Sequence, residues 1–133
     1  MPKRILLIDD ESDIREVASA SLEIVGDFEV LTADSASAGL VVASREQPDL
    51  ILLDLMMPEI DGCEALEDLK RNAATRDIPV IFLTAKALKM DEASVRRAGA
   101  VGALLKPFDP MLLPGQIRAL MGWPMESHDE ASA

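Results

Sequence analysis

The chain has 133 residues, 49% of them hydrophobic, and a net charge of -11 at pH 7, which is length for one domain with a single core. The charge argues against direct wrapping of nucleic acid, since phosphate neutralisation needs clustered Lys and Arg, and equally against acidic membrane surfaces. One cysteine, Cys63, excludes an internal disulfide and a cysteine-type metal site; the start Met1-Pro2-Lys3-Arg4 has no signal-peptide core, and no apolar stretch approaches the roughly 20 residues that span a bilayer, so a soluble, cytoplasmic protein is expected.

Arg4-Ile5-Leu6-Leu7-Ile8 is a continuous apolar run that ends in three acids, Asp9-Asp10-Glu11. Such a run suits a strand buried on both faces, with the acids marking its end. Ser12 or Asp13 can cap the helix that follows; Ile14, Val17, Ala18, Leu22 and Val25 recur at helical spacing as one buried stripe, and Gly26 closes it. Phe28 to Ala33 reads as a strand, and Ser35 to Glu46 as a helix with Ala36, Leu40, Val41 and Ala43 inward. Pro48-Asp49 punctuates before Leu50-Ile51-Leu52-Leu53-Asp54, an apolar strand that delivers one carboxylate to its end before the chain turns through Pro58 and Gly62. Cys63 to Arg71 is helical in pattern, with Ala65, Leu66 and Leu69 on one side and Asp61 as its candidate cap.

Ile78 to Leu83 is a fourth apolar strand, ending at Thr84-Ala85-Lys86, and a helix from about Met90 to Ala98 stops at Gly99. Val101 to Leu105 is a weaker fifth strand, because Gly102 and Ala103 have little β preference. After Lys106-Pro107-Phe108, Asp109-Pro110 offers a cap and a first-turn proline for a last helix running to about Met121, with Pro114 in its opening turns. The expected division is a domain over residues 1–121 and an acidic polar tail over residues 122–133, read as disordered for want of apolar material.

Five strands alternating with five helices predict an α/β fold with a parallel sheet, since parallel neighbours need crossovers long enough to hold a helix. Right-handed crossovers place all strand carboxyl ends on one edge. Four strands end in polar groups of particular types: Asp9 and Asp10, Asp54, Thr84, and Lys106. In the doubly wound order 2-1-3-4-5, strands one and three are neighbours at the switch point where such sheets bind ligands, so the three aspartates share one pocket. Carboxylates crowded together repel, and a hard divalent cation with oxygen ligands, Mg²⁺ before zinc or copper, relieves this. Lys106 and Thr84 then offer a cation and a hydroxyl to two further phosphoryl oxygens while Asp54 attacks phosphorus in line.

The motifs Ile8-Asp9-Asp10-Glu11, Asp54-Leu55-Met56-Met57-Pro58-Glu59-Ile60-Asp61-Gly62, Leu83-Thr84-Ala85 and Lys106-Pro107-Phe108 stand in an order and spacing that resembles the receiver domain of two-component response regulators, over Lys3 to about Met121. The resemblance implies a flavodoxin-like sheet; Asp54 as acceptor of a phosphoryl group from a sensor histidine kinase or histidine phosphotransfer protein; Asp9 and Asp10 as holders of Mg²⁺ with Asp54; Thr84 and Lys106 as phosphoryl contacts; and the Met56 backbone carbonyl as a further metal ligand. It implies a stand-alone regulatory switch rather than an enzyme in its own right, a downstream protein effector docked around the fourth helix, fifth strand and last helix near Arg96, Arg97 and Ala103, and a monomer or a phosphorylation-dependent dimer. With no effector domain following, the output is expected to be an interaction.

One position departs from the family pattern. Receivers usually carry Tyr or Phe three residues before the lysine, a ring that swings inward as the threonine moves; here that residue is Ala103, and the chain has no Tyr. Two further positions line the approach of water to the phosphoryl group in this family, and here they are Met56 and Lys86. Neither accepts a proton from water, which predicts slow hydrolysis. Among rival functions, an aspartyl-nucleophile phosphatase would want a second acid at position 56, and a flavin module would want aromatic walls that a chain with 3% aromatics lacks. A docking-only receiver is hard to reconcile with an intact acid, threonine and lysine set. The side chains of Met56, Met57 and Met90 read as packing or partner surface rather than as metal ligands, and His128 as solvated.

Overall fold

The computed structural model of the chain describes residues 2–55 and 62–124. Among the described residues, strands β1 (Arg4–Ile8), β2 (Glu29–Ala33), β3 (Leu50–Asp54), β4 (Val80–Thr84) and β5 (Gly102–Leu105) alternate with helices α1 (Ser12–Ala20), α2 (Ala36–Glu46), α3 (Gly62–Arg71), α4 (Glu92–Ala98) and α5 (Leu113–Met121). The sheet is parallel throughout, as the apolar runs and crossover lengths predict, and its order is β2-β1-β3-β4-β5, the doubly wound order expected with the family resemblance.

Strand residues alternate between faces, so the sheet builds two cores. Ile5, Leu7, Leu50, Leu52, Ile81 and Leu83 pack with Ala18, Leu22, Leu113 and Ile117 on the α1 and α5 side. Leu6, Ile8, Ile51, Leu53, Val80 and Phe82 pack with Ala43, Leu66, Leu69 and Val95 on the other. Each fully buried Leu or Ile contributes about 1.5–3 kcal/mol. Burial on both faces is the reason these strands read as unbroken apolar runs rather than alternating ones.

The helices differ from the sequence reading in detail. After α1 the chain continues as a π-helical turn, Ser21–Val25, with Gly26 N–H donating to Ser21 O at 3.1 Å. Ser21 is buried and its hydroxyl donates to Pro110 O, whereas Val17 is 45% and Ile24 82% exposed. Gly26 closes this helix from the right-handed region, at φ -91. On α2, capped by Ser35 accepting from Ala38 N–H at 3.1 Å, the inward row is Gly39 and Ala43, and Val41 is 59% exposed. Gly39 lies against Ile8, where a Cβ would stand 2.7 Å from Ile8 Cγ1, so the close row sets the helix and turns Val41 outward.

Asp91 caps α4 and accepts from the Ala93 and Ser94 N–H groups, and Gly99 ends it at φ 101, a left-handed conformation that suits glycine. The last helix starts later than predicted. Asp109 accepts from Met111 N–H at its side chain and from Leu112 and Leu113 N–H at its carbonyl, making a turn, and Pro114 rather than Pro110 is the first-turn proline. Trp123, placed by sequence in the tail, packs on Phe28 with ring centroids 5.9 Å apart, and the Arg118 guanidinium lies 4.4 Å above the Phe28 ring. The Asp61 cap expected for α3 lies outside the described residues, as do Met56, Met57 and His128.

Candidate functional site

Parallel pairing brings the carboxyl ends of the strands to one edge. β1 and β3 are in register at Ile8 and Leu53, so Asp9 and Asp54, one residue further along each strand, stand side by side with the parity of Leu7 and Leu52. Their residues are 0% and 2% exposed. β3 pairs Asp54 with Leu83, which puts the fully buried Thr84 next to it on β4. Lys106 follows β5, whose Leu105 pairs with Thr84, and Lys106 N–H donates to Thr84 O at 3.0 Å.

The Lys106 ammonium is the hub. Its Nζ lies 2.8 Å from Asp9 Oδ2, 3.4 Å from Glu11 Oε1 and 3.6 Å from Asp54 Oδ1. Burial pulls the Lys106 pKa down, but the hydrogen bond to Asp9 and the charges of Asp9, Asp54 and Glu11 outweigh it and hold the pKa above the ordinary lysine value. Asp9 is fixed from its backbone side as well: Arg15 Nη1 donates to Asp9 O at 2.8 Å, and Glu11 N–H donates to Asp9 Oδ1 at 2.9 Å. Thr84 Oγ1 accepts from Lys86 N–H at 3.1 Å, which leaves the hydroxyl proton to be given to another acceptor.

Asp9, Asp54, Thr84 and Lys106 thus come together as the sequence predicts. Glu11, rather than Asp10, completes the group whose carboxylate oxygens lie within 4.8 Å of one another, Asp9, Glu11 and Asp54. Asp9 and Glu11 are two residues apart on either side of a bend at Asp10, and the Glu11 N–H bond to Asp9 Oδ1 keeps the two residues together. That i, i+2 spacing is the signal by which Glu11 could have been found. Asp10 Oδ1 is nevertheless buried with no hydrogen-bond partner among the described residues. An all-oxygen carboxylate cluster with a buried oxygen left over fits a hard divalent cation. The Met56 carbonyl is outside the described residues.

Ala103, paired with Phe82 across β4 and β5, lies beside a depression of about 190 Å³ lined by Met90, Val95, Arg96, Ala103 and Leu120. Among the described residues no helix is long and apolar enough to cross a membrane.

A family model, the response regulator receiver domain, matches residues 5–118. The chain is 37% identical over 131 residues to response regulator Rre1 of Synechocystis, covering 98% of this chain and 57% of that protein. It is 40% identical over 119 residues to the phosphate regulon transcriptional regulatory protein PhoB of Pseudomonas aeruginosa, covering 90% of this chain and 52% of that protein. The chain spans about half the length of the curated relatives it matches. Among solved structures it is similar to the Vibrio cholerae chemotaxis protein CheY4, with a TM-score of 0.81 and 28% identity over 90% of this chain and 99% of that one. The match runs from β1 into α5, through every strand end that supplies the site, and the chain belongs to the response regulator receiver domain family.

Proposed function

We propose that the chain is a phosphorylation-dependent switch in which Asp54 accepts a phosphoryl group from a sensor histidine kinase or a histidine phosphotransfer protein. The observation that carries this reading is the convergence of Asp9, Asp54, Thr84 and Lys106 on one sheet edge, with the Lys106 ammonium in contact with both aspartates. In the transfer a carboxylate oxygen of Asp54 bonds to phosphorus as the bond to the donor nitrogen breaks, and the leaving imidazole keeps that electron pair. Lys106 gives its charge to one phosphoryl oxygen and the Thr84 hydroxyl donates to another, in a water-poor site where such interactions count for more than in water.

Asp9, Asp10 and Asp54, with the Met56 carbonyl, are the residues that would hold Mg²⁺. Bound there, the ion would neutralise carboxylate and phosphoryl oxygens that otherwise repel. Loss of the phosphoryl group by attack of water is slow in this reading, because neither Met56 nor Lys86 takes a proton from water. The phosphorylated form changes the binding of a downstream protein at the α4, β5 and α5 face, where Arg96 and Ala103 flank the depression. The relatives named as transcriptional regulators are about twice as long as the matched part, and the charge of -11 supports a chain that does not itself wrap nucleic acid. A cytoplasmic setting fits a partner kinase that draws on ATP.

The experiment is incubation with acetyl phosphate and Mg²⁺ followed by intact-mass measurement. Wild type gains one phosphoryl group and Asp54→Asn gains none; labelling of Asp54→Asn equal to wild type refutes the assignment.

A further inference from the structure

The three carboxylates around Lys106 differ in depth. The Asp9 and Asp54 side chains are 0% and 3% exposed, whereas the Glu11 side chain stands at the rim with 61% exposed. Glu11 Oε1 accepts a hydrogen bond from the ammonium at 3.4 Å. Its own backbone is anchored, because its N–H donates to Asp9 Oδ1. The ammonium is thus a counter-ion of the Asp9 and Asp54 carboxylates proposed above for the divalent cation, and a second cation brought to them repels it and competes for their charge. The Lys106 side chain is only 12% exposed, so an ammonium that simply withdrew would lose its carboxylates without regaining full hydration.

We propose that Glu11 is a positioning residue for Lys106: it holds the ammonium at the rim of the acid cluster, so that Asp9 and Asp54 pass to a divalent cation while the ammonium keeps a carboxylate and stays within reach of the phosphoryl group. The proposal rests on the reading of the cluster as a Mg²⁺ site. It concerns a residue to which the motifs assign no role, and it explains why the structure places Glu11 beside Asp9 and Asp54. A rim carboxylate suits this task because it follows the ammonium outward while the backbone tie to Asp9 keeps it from swinging away.

The test is a cycle of four proteins, wild type, Glu11→Gln, Lys106→Met and the double variant, with Mg²⁺ binding to the unphosphorylated protein measured by calorimetry. Glu11→Gln is expected to weaken Mg²⁺ binding about tenfold when Lys106 is present and less than about threefold in Lys106→Met, where no ammonium has to be held. An equal loss in both backgrounds, as a direct ligand or a general charge effect would give, overturns the proposal. Lys106→Gln, which keeps a donor for Asp9, serves as the second background should Lys106→Met not fold. Failure of wild type to bind Mg²⁺ overturns the metal reading and this proposal with it, whereas binding without coupling to Lys106 overturns this proposal alone.

Discussion

Gly39→Ala sets two effects of known size against each other. In a helix interior alanine is favoured over glycine by about 1 kcal/mol, so on α2 alone the change should stabilise. The added Cβ, however, would stand 2.7 Å from Ile8 Cγ1 and closer still to Ile8 Cδ1. Ile8 is 1% exposed and stiff at its branched carbon, so relief requires an off-rotamer side chain or a shifted helix. Overpacking of this kind costs about 1–3 kcal/mol, and with two atoms inside the contact limit the upper half applies. The net expectation is a loss of about 1–2 kcal/mol, a fall in Tm of roughly 4–8 °C for a domain of this size. Ile8→Val removes the nearer atom at a cost of about 0.5–1.5 kcal/mol by itself, and in the double variant the two losses should fall short of their sum by about 1 kcal/mol. Urea unfolding of the four proteins measures this directly. A Gly39→Ala variant more stable than wild type, or strict additivity with Ile8→Val, refutes the close-approach argument.

Mg²⁺ should raise Tm by mass action on the native state, by about 2.7 kcal/mol of stability at a hundredfold excess over Kd, and Asp10→Ala should weaken both Mg²⁺ binding and phosphorylation; unchanged affinity, read by calorimetry, removes Asp10 from the metal shell. Met56→Asn should shorten the life of the phosphoprotein after removal of donor, since an amide can orient water where a thioether cannot; decay as slow as wild type or slower ends the shielding argument. The Lys106 pKa is raised above its ordinary value of 10.5, so the stability from its ion pairs is fully present below that value and is lost as pH rises through the higher folded value. Wild type should therefore lose stability on alkaline titration above about pH 10.5 more steeply than Lys106→Met, and equal slopes would falsify the linkage.

Strands β1, β3 and β4 were legible because a strand covered on both faces must be apolar at every position, and the sequence shows such runs with an acid or hydroxyl residue closing each, whereas the edge strands β2 and β5 are only partly covered. The same contrast exposed Asp9, Asp54, Thr84 and Lys106, each of which ends or follows an apolar strand. Helix faces were less legible. Ala18 and Leu22 were correctly placed inward, but Val17 and Val41 are exposed, because a helix touches the sheet along a narrow row. On α2 that row is set by the close approach of Gly39 to Ile8. The start of α5 was misread because Asp109-Pro110 is equally good chemistry for a turn and for a cap.

By itself the sequence determined that the chain is a parallel α/β sheet and which strand ends carry the polar residues that meet at one edge, since both follow from patterns local to runs of about five residues. Only the tertiary structure decided that Glu11 joins Asp9 and Asp54, that one ammonium serves all three carboxylates, and that Trp123 packs back on Phe28. The Glu11 spacing from Asp9 is local, but its meeting with Asp54 depends on the β1–β3 register, and the Lys106 and Trp123 contacts join residues far apart in the chain through strand pairing and helix docking, which no local pattern encodes.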